Sequence, residues 1–286
     1  MGILKNMFGL MLPQYLLVTT AAVISSSLYF LNLNLFYLIL PWIVVSSTMF
    51  GLNVFNNFVD FKIDKILKPT RPTVNGTLKL KHVLFFSISL FSLAIFMSIF
   101  ISGFVSLILT LVSVTLSIIY SLNPIRLKDR LFGANFVGGL LYGVFPYLLV
   151  SFSLSQPPNI LFMFFLFSLV FCIAHIKDIE DAKFEKKLKV KNLVIFLGKK
   201  NALLATTIML IILNLIMVYF ALINVFKIMF IFASFISILL STLVYYYLLG
   251  YKEDKVIVSQ SKLVSYYMIL IMIIELCYGV INIYNY

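Results

Sequence analysis

Charge is scarce in this sequence. Only 11% of its 286 residues are Asp, Glu, Lys or Arg, and ten of those are acids. Soluble domains carry about a quarter charged residues, so a domain surrounded by water is excluded. Cysteine is nearly absent: Cys172 and Cys277 both fall inside apolar runs, which leaves neither a disulfide framework nor a thiolate spacing for metal. Strict apolar–polar alternation is missing as well. Runs such as "LFMFFLFSLVFCIA" do not alternate, which excludes a membrane β-barrel. No low-complexity block or linker divides the chain, and the first apolar run lacks an A-x-A cleavage site, so it reads as a retained span rather than a signal peptide.

What the sequence has in abundance is oil. It is 62% hydrophobic, with a mean hydropathy of +1.09. A bilayer core of about 30 Å takes about 20 apolar residues per helix, and runs of that length recur at 10–31, 35–55, 83–102, 104–122, 131–153, 159–176, 201–224, 228–250 and 263–283. The expected architecture is an all-α polytopic membrane protein of nine transmembrane helices, with residues 1–286 forming one membrane domain. The net charge of +12 would suit nucleic acid, but its placement argues otherwise. With the N-terminus in the cytosol, 21 of the 22 Lys and Arg residues fall on the cytosolic side, and only Lys227 lies outside. That asymmetry is the positive-inside rule, and no basic face of a folded domain is left to bind nucleic acid. The sequon "NGT" at 75–77 falls in a cytosolic connection on this topology and reads as a chance match.

Two long cytosolic connections, 56–82 and 177–200, hold six of the ten acids. In "NNFVDFKID", Asn56, Asp60 and Asp64 follow at i, i+4 and i+8. In "KDIEDAKFE", Asp178 and Asp181 are i, i+3, and Glu185 follows at i+4. On continuing helices each set lines one face. Facing carboxylates repel in a low dielectric unless a cation bridges them, and all-oxygen ligands suit Mg²⁺ shared with substrate phosphates. The neighbouring Lys65, Lys68, Arg71, Arg126, Lys128 and Lys177 are then candidates for phosphate oxygens. The competing reading is that these acids simply pair with adjacent lysines at a membrane surface. Glu275 is the one acid deep in a span. His82 and His175 flank the acidic regions, each either a proton acceptor or an ordinary residue of a helix end.

The strings "NNFVDFKIDKILKPTRPTVNG", "YSLNPIRLK" and "DIEDAKFE", in that order, resemble the three motifs of the UbiA superfamily of intramembrane prenyltransferases. Asn57 stands where many members have Asp, and Glu185 where the last acid is commonly Asp. "KDIED" and "KNLVIFLGKKNA" are similar to archaeal geranylgeranylglyceryl phosphate geranylgeranyltransferases, although Ile173 and Ala174 replace an Arg-Glu pair frequent there. The resemblance implies nine helices around a central cavity and Mg²⁺-dependent prenyl transfer from an isoprenoid diphosphate to a lipophilic acceptor. That acceptor is either an ether-lipid glycerol phosphate or an aromatic quinone precursor, and the protein is expected in the plasma membrane of a prokaryote with its active-site loops cytosolic.

On this reading Asn56, Asp60 and Asp64 hold one Mg²⁺, and Asp178, Asp181 and Glu185 a second. Lys68, Arg71, Arg126, Lys128 and Lys177 bind the diphosphate. Tyr120 faces the allylic cation or, alternatively, anchors the helix at the membrane interface. The alternative from another class is a cation- or proton-coupled transporter. Such proteins place ionisable groups near the midplane, whereas nine of the ten acids here lie at cytosolic ends.

Overall fold

The computed structural model describes residues 2–12, 14–30, 32–67, 69–179, 182, 186, 190–223, 226, 229–249, 270 and 273–274. Within them the chain is helix and loop, with no strand. A short α1 (Gly2–Leu10) leads into α2 (Gln14–Tyr29), α3 (Leu35–Val59) and α4 (Phe61–Leu67). Next come α5 (Leu80–Ser102) and α6 (Phe104–Ser121). A single run then passes from α7 (Gly133–Gly138) through a π-helical turn, Gly139–Val144, into α8 (Phe145–Ser153). The described helices end with α9 (Ile160–Ile173), α10 (Leu193–Leu197), α11 (Lys199–Leu222) and α12 (Met229–Leu249).

Eight of the nine expected spans coincide with these helices. Six described segments are long and apolar enough to cross a membrane: α3, α5, α6, the Gly133–Ser153 run, α11 and the core of α12. α2 and α9 are apolar but shorter, with 16 and 14 residues. At 1.5 Å per residue α9 spans about 21 Å, less than a bilayer core. The ninth expected span, 263–283, lies outside the described residues except for Leu270, Ile273 and Ile274, of which Leu270 and Ile274 are buried in the core around α9 and α11.

One helix, α6, is built inside out relative to a soluble one. On α6, Ser106, Thr110, Ser113, Ser117 and Ser121 recur at helical spacing and are buried, while Phe104, Ile108, Leu111 and Val112 are exposed. Lipid tails are as apolar as leucine, so packing between membrane helices relies on small residues and close backbone approach. The clearest approach is between the π-helical turn and α9. A Cβ on Gly143 would lie 2.6 Å from the Leu166 carbonyl oxygen, so no other residue fits without moving backbone. At the opposite end of the bundle from the acidic connections, Tyr29 stacks on Phe162 at 4.1 Å. The buried Tyr147 hydroxyl nearby accepts the Asn159 N–H at 2.8 Å, which satisfies its polar end.

Candidate active site

α3 ends at Val59 and α4 starts at Phe61, with Asp60 at the joint. The backbone ladder nevertheless runs through it. Asp60 N–H donates to Asn56 O at 2.9 Å, and Asp64 N–H to Asp60 O at 2.8 Å. Asn56, Asp60 and Asp64 therefore follow one another a turn apart, as the i, i+4, i+8 spacing leads one to expect. Asp60 is 8% exposed and Asp64 4%. Carboxylates this buried require charged or hydrogen-bonding partners.

Those partners arrive from two loops. After α4, the loop folds on itself: Val74 and Asn75 N–H groups both bond Arg71 O, Leu78 N–H bonds Pro72 O, and Gly76 takes a left-handed φ of 82°. This compact turn returns Arg71 to pair with Asp64. The second loop joins α6 to α7. Arg126 N–H closes a turn on Leu122 O at 2.8 Å, and Arg126 itself has φ 41°, an uncommon conformation for a residue with a Cβ. Strain of this kind collects at functional sites. Here it aims the guanidinium so that Nη2 donates to Asp60 Oδ1 at 2.9 Å while Nε donates to Asp129 at 2.5 Å. The Asp129 carbonyl oxygen accepts Lys191 N–H at 3.1 Å, tying this loop to the chain just beyond the second acidic region.

Lys128, two residues on, inserts its ammonium between Asp60 and Asn56, donating to Asp60 Oδ2 and Asn56 Oδ1. The Ser121 hydroxyl also donates to Asn56 Oδ1, at 3.1 Å. One ammonium satisfying both side chains means that their oxygens converge on a point the size of a cation. Burial disfavours the Arg126 charge, but Asp60 and Asp129 outweigh it and hold its pKa above the ordinary arginine value. Burial dominates for Lys128. With Arg126 adding repulsion, its pKa lies below the ordinary lysine value despite Asp60.

The second acidic region departs from the helical expectation. α9 stops at Ile173, and Asp178 rides a 3₁₀ turn, Ile176–Ile179, rather than a continuing α-helix. Asp178 is buried, and its N–H donates to His175 O at 3.0 Å. Asp181, Glu185, Lys68 and the Lys177 side chain lie outside the described residues, as does Glu275. Among the described residues no three His, Cys, Asp or Glu side chains gather within reach of one metal ion. The structure thus joins Asn56, Asp60, Arg126 and Lys128 in one cluster, puts the Asp64–Arg71 pair one turn along the same helix, and carries Asp178 on its own turn.

Other side chains sort themselves by contact. Tyr120 is half-buried against the apolar cluster that includes Leu141 and Phe145, directly before Ser121. Lys65 turns its ammonium over the Phe61 ring, 4.6 Å from the centroid, so it is not part of the cluster. Asn57 is buried and donates its amide to Asn53 O at 2.8 Å, back along its own helix. His82 is exposed at the start of α5. His175 is 1% exposed and is an interior residue, not an interfacial one. Ser121 and Asp129 were not singled out by sequence. Their signals were present, a serine inside "YSLNPIRLK" and an acid three residues after Arg126, but the spacing reveals neither the Ser121 bond to Asn56 on α3 nor the Asp129 bond to Arg126.

The sequence profile of the UbiA prenyltransferase family matches residues 15–269. Digeranylgeranylglyceryl phosphate synthase of Methanosphaera stadtmanae is 30% identical over 55% of this chain and 56% of its own length. The enzyme of the same name from Sulfolobus acidocaldarius is 31% identical over 60% of this chain and 61% of its own. The aligned region thus spans little more than half the length of these curated relatives. Among solved structures, a UbiA homologue from Archaeoglobus fulgidus bound to GPP and Mg²⁺ matches with a TM-score of 0.74 at 17% identity, over 97% of this chain and 99% of that one. A digeranylgeranylglyceryl phosphate synthase structure matches with a TM-score of 0.66 at 22% identity, over 99% of each chain. At these identities the structural likeness establishes the fold. Since the family profile covers most of the sequence, the chain belongs to the UbiA prenyltransferase family.

Proposed function

We propose that this protein transfers a prenyl group from an isoprenoid diphosphate to a lipophilic acceptor in the membrane, with Mg²⁺ as cofactor. The observation that carries the reading is the convergence of Asn56 and Asp60 oxygens on a single cation position, taken here by the Lys128 ammonium, with Arg126 on Asp60 and Arg71 on Asp64 one turn away. An all-oxygen donor set with carboxylate character fits Mg²⁺. Asn56, Asp60 and Asp64 would hold one ion, and Asp178, Asp181 and Glu185 a second. The bound metal would neutralise charge on the departing diphosphate.

The chain's own residues do the rest. Arg126 and Lys128, drawn from Asp60 toward phosphate oxygens, and Arg71, drawn from Asp64, stabilise the anion as the allylic C–O bond breaks and the diphosphate leaves with the electron pair. Lys68 and Lys177 complete the phosphate-binding set. Tyr120 offers its ring face to the allylic cation, and the apolar helices keep water from it. An acceptor nucleophile then forms the new bond to the allylic carbon and loses its proton.

The names of several relatives favour an ether-lipid glycerol phosphate as acceptor. A relative named homogentisate phytyltransferase, from Synechocystis, is 27% identical over 54% of this chain and 53% of its own length, and it supports an aromatic acceptor as the second reading. The Lys and Arg placement supports cytosolic active-site loops and N-terminus, and the prokaryotic sources of the relatives favour a prokaryotic plasma membrane. The transporter alternative is disfavoured by family membership and by acids at helix ends. The deciding assay is diphosphate release by purified protein supplied with Mg²⁺, geranylgeranyl diphosphate and a panel of glycerol phosphate and aromatic acceptors. No release with any acceptor, in a folded sample, would refute the proposal.

A further inference from the structure

His175 sits between the end of α9 and the turn that carries Asp178, and both of its ring nitrogens are engaged. Nδ1 lies 3.0 Å from Asn135 Nδ2 on α7, and Nε2 lies 2.5 Å from Thr206 Oγ1 on α11. The proton positions follow from the other partners. Asn135 Nδ2 also donates to Phe171 O at 2.6 Å, and a carbonyl can only accept, so the Asn135 amide turns its NH₂ toward the imidazole. His175 Nδ1 therefore accepts. The single Thr206 hydroxyl proton goes to Ala202 O at 2.9 Å, so Thr206 accepts from His175 Nε2–H. Across these contacts with Asn135 and Thr206, donors meet acceptors when the ring is neutral and carries its proton on Nε2. An imidazolium would turn a second N–H against the Asn135 amide hydrogens.

We propose that His175 is a positioning residue. Its neutral ring fastens the Asp178 turn to α7 and α11, and so fixes where that carboxylate stands for the metal–diphosphate group. The backbone completes the link, because the His175 carbonyl holds the Asp178 N–H. This assignment makes His175 a support for the Asp178 turn, through its contacts with Asn135 and Thr206. It rests on the prenyl-transfer reading, and it concerns three side chains that lie outside the motifs and that the sequence alone does not connect. Groups that orient metal ligands typically change metal affinity or activity by about 10- to 100-fold when removed.

The test uses the full chain in lipid nanodiscs. ¹⁵N-histidine spectra are simple with only two histidines, and His82→Gln assigns the exposed one. His175 is expected as the neutral Nε2–H tautomer; a protonated Nδ1 would overturn the proposal. Calorimetry with Mg²⁺ and a slowly ionising geranylgeranyl thiodiphosphate then measures binding without turnover. His175→Leu and Thr206→Val leave buried partners unsatisfied and should melt lower than wild type, and in the folded state each is expected to bind about tenfold more weakly. Thr206→Ser, which keeps the hydroxyl, and His175→Gln, whose amide can still donate to Thr206, are expected to recover most of the affinity. Wild-type affinity in a folded His175→Leu or Thr206→Val protein would overturn the positioning role alone. A wild-type protein that binds no Mg²⁺–analogue would instead remove the prenyl-transfer reading beneath it.

Discussion

Arg126 reaches Asp60 across 66 residues of sequence and holds it at 2.9 Å, with Lys128 on the other carboxylate oxygen. The three side chains are 11–12% exposed, so removing one member strands charge in a poorly solvated place. Asp60→Ala should cost about 3–5 kcal/mol of stability, seen as a lowered melting temperature. Adding Lys128→Met to Asp60→Ala should recover part of that loss without recovering activity. Asp60→Asn, which keeps an oxygen and the shape, should fold but release diphosphate about 100-fold more slowly. Normal turnover in Asp60→Asn would remove this carboxylate from the site.

Asn56 and Asn57 are chemically identical neighbours with opposite orientations. Asn56 Oδ1 receives Lys128 and Ser121, whereas Asn57 spends its amide on Asn53 O. Asn56→Ala should therefore lower kcat/KM for the donor about tenfold or more, while Asn57→Ala should leave it nearly unchanged and lose only about 1 kcal/mol of stability. The family motif commonly has Asp at 57. A carboxylate there has no proton to give Asn53 O, so the orientation seen here belongs to asparagine. Steady-state kinetics on the two variants, side by side, decide the matter.

The helical spacing of Asn56, Asp60 and Asp64 was legible because it is a local property of one segment, and the apolar runs were legible because the bilayer imposes their length. The partners of those residues were legible only as a type. Arg126 and Lys128 were suspected as phosphate ligands from charge, but their grip on Asp60 depends on a left-handed backbone at Arg126 that no propensity would assign to arginine. Ser121 was passed over because its contact with Asn56, 65 positions away, is set by how α3 and α6 pack, and Asp129 because its bond to Arg126 depends on that same left-handed backbone. The helix expected through Asp178 gave way to a 3₁₀ turn, because His175, just past the end of α9, is drawn sideways to Asn135 and Thr206.

Gly143 tests the packing behind the site. Its missing Cβ lets the π-helical turn lie against the α9 backbone, with Leu166 O at 2.6 Å and Leu166 C at 2.8 Å from where a methyl would stand. Backbone cannot swing aside as a flexible side chain can. Gly143→Ala should cost about 1–3 kcal/mol and lower the melting temperature. Gly9 is the control, because a methyl added there would meet nothing within 4 Å: Gly9→Ala should leave the melting temperature unchanged.

Metal removal separates a structural ion from a catalytic one. Asp60 is paired with Arg126 and Lys128, and Asp64 with Arg71, so these acids are neutralised by the protein's own side chains. Chelation with EDTA should therefore abolish diphosphate release and leave the melting temperature where it was. Mg²⁺ together with inorganic diphosphate should raise that temperature, because a ligand at 100 times its Kd adds about 2.7 kcal/mol to the folded state. The rise should be reduced in Arg126→Lys, since a lysine cannot fork between Asp60 and the phosphate side while staying bonded to Asp129. A protein that unfolds on chelation would instead place the metal in the scaffold, and the carboxylates would then be structural ligands rather than the grip on a leaving group.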